Sequence, residues 1–423
     1  MREMKDSGTL AFGTIPSTWK ITKFKNLFCL RSTKNTGNRE LLSVYLDKGV
    51  ISYSDSDGMQ VHKPSESLAA YQNVEIGDFV LNNQQAWRGS VGVSKYRGII
   101  SPAYFVYSMT DECYAPYMNY LLRDSSMVHQ YELASRGVGT IQRNLFAPWL
   151  KNRIVLIPPI YEQKEIAIFL DSQCSEIDAI SADIQKEIET LEQYKRSVIT
   201  EAVTKGLNPE AEMKDSGIGY IGIIPNHWVV EKIKYHLKYR GNRNPGGVQV
   251  LSVYREYGVI PKDSRDDNHN VTSEDTSNYR YVRVGDFVIN KMKAWQGSMA
   301  ISDYEGIVSP AYYVYEFSDE HFDRKYFHYL LRNKMYATEF LRVSGGIRVG
   351  QWDLSAYDFE NTMVPMPPIK EQKKIAAFLD TKSTEIDSLI GEKKRQLEVL
   401  DSYKKSLIYE YVTGKKEVPT YES

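Results

Sequence analysis

Pro158-Pro159-Ile160-Tyr161-Glu162-Gln163-Lys164-Glu165-Ile166-Ala167-Ile168-Phe169-Leu170-Asp171 returns further along the chain as Pro367-Pro368-Ile369-Lys370-Glu371-Gln372-Lys373-Lys374-Ile375-Ala376-Ala377-Phe378-Leu379-Asp380, an offset of 209 residues. Each stretch reads as the start of a helix. Proline is tolerated in a first helical turn and not further in, and Glu162 and Glu371 fall where the helix dipole favours an acid. Apolar residues then recur at three- and four-residue spacing. In the first copy they are Ile166, Phe169, Leu170, Ile177, Ile180, Ile184, Ile188, Leu191, Tyr194 and Val198. In the second they are Ile375, Phe378, Leu379, Ile386, Leu389, Leu397, Leu400, Tyr403, Leu407 and Tyr411. This is a coiled-coil seam with charged flanks. Lys393 interrupts the second seam where the first has Ile184, and Gly206 and Gly414 stand just past the ends as stops. About 42 residues at ~1.5 Å each predict rods of ~60 Å.

Outward from these helices the whole chain repeats. Met4-Lys5-Asp6-Ser7-Gly8 returns as Met213-Lys214-Asp215-Ser216-Gly217, and Ile15-Pro16 with Trp19 as Ile224-Pro225 with Trp228. Gly77-Asp78-Phe79-Val80 returns as Gly285-Asp286-Phe287-Val288, and Ser101-Pro102-Ala103-Tyr104 as Ser309-Pro310-Ala311-Tyr312. Solenoid periods are ~20–50 residues, so this is one duplication of a large module. The expected order is a head at 1–157, a long helix at 158–206, a linker and second head at 207–366, a second long helix at 367–415 and a polar tail at 416–423. Within the heads, Val44-Tyr45, Phe79-Val80-Leu81 and Tyr104-Phe105-Val106-Tyr107 read as strands. Pro116 to Arg123 and Lys325 to Arg332 read as short helices. The fold class is α+β, each head carrying a curved, largely antiparallel sheet. Antiparallel pairing of the two long helices would give pseudo-two-fold symmetry, with the heads at opposite ends of a rod. That geometry suits binding at a fixed spacing.

Composition narrows the function classes. The chain has 423 residues, 42% hydrophobic and 25% charged, as in ordinary globular proteins. No apolar run approaches the ~20 residues of a membrane helix, so no membrane partner is expected. The charged start lacks a signal-peptide core. The three cysteines, Cys29, Cys113 and Cys174, have no paired spacing, which predicts a reducing, cytoplasmic setting without disulfides or a cysteine-based zinc site. A net charge of −1 excludes a generally basic nucleic-acid binder but leaves room for local basic surfaces. The 31 tyrosines favour contact surfaces.

Catalytic motifs are missing. Pro158-Pro159 and Pro367-Pro368 superficially match an adenine-methyltransferase signature, but their flanks are Ile157 and Ile160, and Met366 and Ile369. None of these can accept from an adenine amino group or stack on the base. There is no dinucleotide- or phosphate-binding glycine motif and no His-Glu-x-x-His. His321 and His328 read as surface or packing residues.

The duplication supplies an internal comparison: matching positions serve a frame, and differing positions inside matching loops are candidates for recognition. Asn82-Asn83-Gln84-Gln85-Ala86-Trp87-Arg88-Gly89-Ser90 aligns with Asn290-Lys291-Met292-Lys293-Ala294-Trp295-Gln296-Gly297-Ser298. Ala-Trp and Gly-Ser are shared, with Trp87 and Trp295 read as structural. Asn83, Gln84, Gln85 and Arg88 give way to Lys291, Lys293 and Gln296. Such side chains read base edges: Arg or Lys on guanine, Asn or Gln on adenine. The plainer alternative is a polar turn. A second loop aligns Ser135 to Arg143 with Ser344 to Trp352. It supplies Arg136, Thr140, Gln142 and Arg143 in one copy, and Arg348 and Gln351 in the other, as candidate phosphate or base contacts. Solvated loop charge is the alternative there. A third, more acidic loop, Ser54 to Lys63 and Asp263 to Asn270, ranks lower.

Taken together, these motifs resemble the specificity subunit of type I restriction–modification systems. They are the paired Met-Lys-Asp-Ser-Gly, the Gly-Asp-Phe-Val strand, Ser-Pro-Ala-Tyr, and Pro-Pro-Ile-x-Glu-Gln at each long helix. The resemblance spans essentially the whole chain. It implies two target-recognition domains, each reading half of a bipartite double-stranded DNA site. It also implies helices that space the domains and dock two methyltransferase subunits. S-adenosylmethionine would bind in those partners, with no cofactor or metal in this chain, and a motor-nuclease restriction subunit would join for cleavage. Two rival classes remain open: a coiled-coil adaptor that reads no DNA, and a self-contained methyltransferase.

Overall fold

The computed structural model describes residues 2–9, 12–35, 37–56, 64–65, 67–138, 142–255, 257–265, 272–318, 322–346 and 352–419. Its longest elements are the helices Ile160–Lys205 and Ile369–Val412, of 46 and 44 residues. At ~1.5 Å per residue the first is about 69 Å long. Both start behind the proline pairs and stop at glycines in the left-handed region, Gly206 at φ 74° and Gly414 at φ 72°.

The Glu-Gln pair of the opening motif fastens each helix start to its head. The fully buried Gln163 amide donates to the Pro158 and Glu112 carbonyls at 2.9 and 2.8 Å, and its oxygen accepts from the Tyr114 N–H at 2.8 Å. Gln372 repeats this, donating to the Pro367 carbonyl and accepting from the Asp323 N–H, both at 2.8 Å.

The chain divides into two compact units. One comprises Met1–Ile184 with Arg395–Ser423, the other Gln185–Lys394. Each unit thus holds one head, the first part of the helix that follows it, and the last part of the other long helix. In the first unit Phe169 meets Tyr411 at 4.6 Å between ring centroids, and Lys404 reaches Asp178 at 2.6 Å. In the second, Lys195 reaches Asp387 and Lys393 reaches Glu187, both at 2.6 Å. In each unit rising numbers on one helix meet falling numbers on the other, so the segments run antiparallel. The Lys404 and Lys195 pairs occupy equivalent places in the two repeats.

The seam itself differs from the sequence reading at four positions. Ile180, Tyr194, Leu389 and Tyr403 are 44%, 54%, 48% and 53% exposed. A strict three–four alternation places Ser181 and Lys195, and Ile390 and Lys404, on the inner face instead. The lysines serve there because their aliphatic stems can lie along the seam while the ammonium groups reach acids. Lys393 is accommodated in the same way.

The heads are built alike. Among the described residues the paired strands of both heads run antiparallel, with one isolated parallel bridge in each, Leu41 to Ile99 and Val250 to Ile307. The largely antiparallel sheet of each head is divided into pieces. Each head has one four-stranded sheet with several two-stranded pieces around it. In the first head the order is Phe28–Arg31, Tyr104–Met109, Phe79–Asn82, Val91–Val93; in the second it is Leu237–Tyr239, Tyr312–Phe317, Phe287–Asn290, Met299–Ile301. Frequent Gly, Pro and Asx turns keep strands to three to six residues, which limits sheet width. The repeated Met-Lys-Asp is itself a strand, Met4–Asp6 on Thr14–Pro16 and Met213–Asp215 on Ile223–Pro225. The helices Ala115–Arg123 and Arg324–Leu331 match the expected positions, and a further helix follows each, Ser125–Leu133 and Lys334–Val343.

Each core is sealed by the end of the other long helix. Tyr117, fully buried, donates to the Val412 carbonyl at 3.2 Å, and Tyr326 donates to the Val203 carbonyl at 3.2 Å. Fully buried Trp19 and Trp228 lie against the same helix ends. The duplicated α+β reading with two long antiparallel helices therefore holds, down to equivalent hydrogen bonds. No helix among the described residues is long and apolar enough to cross a membrane.

Candidate nucleic-acid interface

The differing loop begins where a central strand ends. After Phe79–Asn82 the Asn82 carboxamide oxygen accepts from the Gln84 N–H at 2.9 Å. A short 3₁₀ turn, Ala86–Arg88, follows and stops at Gly89, φ 99°. The Trp87 indole N–H donates to the Gln84 carbonyl at 3.0 Å and closes the turn. The second head repeats every step. Asn290 accepts from the Met292 N–H at 3.1 Å, Ala294–Gln296 forms the turn, Gly297 stops it at φ 78°, and Trp295 donates to the Met292 carbonyl at 3.2 Å. Both tryptophans are thus structural as expected, yet half-buried, with ring surface left on the outside.

On this shared frame the polar contents part. In the first head Gln84 and Arg88 are exposed, while Asn83 and Gln85 are half-buried. In the second, Lys293 and Gln296 are exposed, but Lys291 is half-buried and paired to Asp353 at 3.0 Å.

The second predicted loop packs beside the first. In the first head it is a hairpin, Ser135–Val138 on Gln142–Leu145, whose Leu145 N–H donates to the Asn83 carbonyl at 2.9 Å. The second head keeps this tie, from the Leu354 N–H to the Lys291 carbonyl at 3.1 Å. Arg143 lies over the Trp87 ring at 5.0 Å and bonds Glu132 at 2.9 Å, and Arg88 lies over the same ring at 4.7 Å. Asn83, Gln84, Gln85, Arg88 and Arg143 therefore share one site. Arg136 does not join them. It pairs in register with Asn144, while Arg143 pairs with Gly137, so the two arginines leave opposite faces of the hairpin. Its guanidinium sits over Phe146 at 3.7 Å and Trp149 at 4.4 Å. Thr140, Arg348, Gln351 and the side chain of Gln142 lie outside the described residues, as does most of the third loop. From that loop Arg265 stacks on Tyr257 at 4.5 Å. The aromatic seats of these arginines were not foreseen; arginine beside aromatic residues at loop ends was the available signal.

An ion pair on a buried aspartate fixes the strand that carries the loop. Arg31 reaches Asp78 at 2.9 Å, and Arg240 reaches Asp286 at 3.2 Å. Each carboxylate also accepts a backbone N–H at 2.8 Å, from Glu75 and Arg283. Burial outweighs these partners and pushes both carboxyls above the usual range. The pair recurs in both heads and is frame, not contact surface. No group of three or more His, Cys, Asp or Glu able to hold a metal occurs among the described residues.

The class these features define is a two-headed, internally duplicated chain presenting unlike polar loops on equal scaffolds. Comparison with known proteins places that class. Residues 238–399 match the Type I restriction modification DNA specificity domain. The chain is 26% identical over 438 aligned residues, 96% of each chain, to the protein assigned as the MjaX type I restriction enzyme specificity subunit of Methanocaldococcus jannaschii. It is 24% identical over 325 residues, 71% of this chain and 70% of the relative, to the MjaVIII type I restriction enzyme specificity subunit of the same organism. Among solved structures, a chain described under complex assembly and conformational transition of the type I R-M system matches with a TM-score of 0.68 at 15% identity, covering 95% of this chain and 99% of its own. The HsdS subunit from Thermoanaerobacter tengcongensis matches with a TM-score of 0.51 at 16% identity, covering 95% and 98%. The fold is shared with these structures. The resemblance to type I specificity subunits holds over these matches, with residues 238–399 similar to that DNA specificity domain.

Proposed function

We propose that this chain is the non-catalytic DNA-reading subunit of a type I restriction–modification complex. Each head reads one half of a bipartite, asymmetric double-stranded target from the major groove, where base edges carry a unique donor and acceptor code. The observation that carries this reading is the contrast at one turn: equal hydrogen-bonded frames around Trp87 and Trp295 present different polar side chains. A structural adaptor has no need to diversify such a turn while keeping its frame.

The long helices act as spacer and scaffold. The first leaves apolar side chains in solvent near its start, Tyr161 at 62% and Ile168 at 67% exposure, which suits docking of one methyltransferase subunit; a second would take the equivalent place on the other long helix. Those subunits bind S-adenosylmethionine and perform the methyl transfer; a restriction subunit adds cleavage. The complex works in the cytoplasm, on the host genome and on entering DNA.

Binding of the full chain with its methyltransferase partners to selected and random duplexes, over a range of salt concentrations, tests this reading. The expected result is a specific excess above the salt-sensitive background that every basic surface shows. Equal affinity for all duplexes would leave the adaptor in its place, and methyl transfer by the purified chain alone would make it an enzyme.

A further inference from the structure

With one half-site to each head, the loop of the first head also points to the bases it holds. The Trp87 ring, locked by its own N–H on the Gln84 carbonyl, carries two guanidinium groups, Arg88 at 4.7 Å and Arg143 at 5.0 Å from the centroid. Arg143 is steadied again by Glu132 at 2.9 Å. A guanidinium is a planar fork with five N–H donors, so one that stacks on an aromatic face and meets a partner along one edge is held in orientation and still has further donors for an acceptor pair. That fork matches the O6 and N7 acceptors of guanine in the major groove.

The second head answers differently at the aligned places. Gln296 stands for Arg88 and Trp352 for Arg143; Lys291 is engaged by Asp353, while Lys293, next to the turn, is exposed but takes the place of Gln85 and not of either arginine. The exposed Gln296 amide suits the N6 and N7 edge of adenine.

We infer that the first head reads a guanine-containing half-site through Arg88 and Arg143, with Trp87 as the positioning residue of both, and that the second head's turn reads adenine through Gln296. This rests on the proposed DNA-reading function.

The test is selection from a random duplex library by the full chain co-purified with its methyltransferase subunits, followed by sequencing of the bound DNA. Wild type should yield two half-sites, one with guanine at two positions. Arg88→Lys and Arg143→Lys keep the charge but lose the fork. Each should reduce guanine preference at one position by roughly 5- to 150-fold, the range of one bidentate contact. Trp87→Leu should weaken both positions together, and Trp87→Phe should restore most of the preference. A merely structural tryptophan would instead degrade both half-sites or neither. Retention of the second half-site in every variant shows that the chain is folded, and Gln296→Ala should relax an adenine there and nowhere else. A first half-site without guanine, or one indifferent to both lysine variants, overturns the inference while leaving DNA reading intact. Variants that keep both half-sites but lose their methyltransferase subunits would make the cluster a protein interface, which also overturns it. A wild-type complex that selects no sequence overturns the parent reading.

Discussion

His328 shows how one side chain can set a measurable pH response. Burial, with Arg332 beside it, holds its imidazole down at about 3, against the opposing pull of Asp380. Arg332 donates to its Nε2 at 2.8 Å, so the ring is neutral. The unfolded chain takes up this proton near pH 6.5, whereas the folded chain does so only near 3. Over that window the unfolded state holds more protons, so stability falls as pH drops from 6.5 toward 3, by up to about 1.4 kcal/mol per pH unit from this group. His328→Gln keeps an acceptor for Arg332 and removes the titration. Urea unfolding at pH 7, 6 and 5 should show a shallower acid loss in the variant; equal slopes would contradict this. The residue scale also shows where repetition stops. Trp19 donates its indole N–H to Glu162 at 2.9 Å, while the equivalent Glu371 takes His227 at 2.8 Å. The polar loop residues around Trp87 were legible because the chain carries its own aligned copy. The seats of Arg136 on Phe146 and Trp149 were not, because that contact joins a hairpin to a short helix that no local pattern announces.

The ends of the long helices were legible from prolines and glycines, which act through local backbone geometry. The seam was legible only in part. Reading apolar identity chose Ile180 and Tyr194, whereas the three–four alternation chose Ser181 and Lys195, and tertiary packing follows the alternation. Two predictions belong here. Gly414 is left-handed, and a Cβ there would lie 2.5 Å from Pro16 Cδ and 3.1 Å from the Trp19 ring. Gly414→Ala should therefore cost about 1–3 kcal/mol through overpacking and an unfavourable φ, read as a lower urea midpoint; an unchanged midpoint would mean that the helix end is not seated on the head. The cross-helix pair Asp178–Lys404 is partly solvated, so its worth is about 0.2–1 kcal/mol. In a double-mutant cycle, Asp178→Lys should destabilise by up to that amount and Lys404→Asp should recover it in the double variant. Additive losses would show that the pair does not couple the helices.

At the scale of the molecule, the first compact unit is not contiguous in sequence: the last segment of the chain completes the first head, while the contiguous second unit takes in the end of the first long helix, which completes the second head. The repeat period announced two modules, but the exchange of helix ends was not written in it, since periodicity reports what each segment is and not which copy it meets. The proposed function makes the helix pair a spacer. Removing one seven-residue repeat from each long helix keeps the seam in phase and shortens each by about 10.5 Å. The gap between half-sites should then fall by about three base pairs at ~3.4 Å each; an unchanged gap would contradict the spacer role.

Two equal scaffolds with unlike loops should read two independent half-sites. Genome-wide mapping of methylated adenines in cells carrying this chain with its methyltransferase partners tests that most directly. Wild type should give one bipartite, asymmetric motif, and Arg88→Ala should relax one half by about 1–3 kcal/mol while leaving the other untouched. A single uninterrupted motif, or equal loss in both halves, would contradict it.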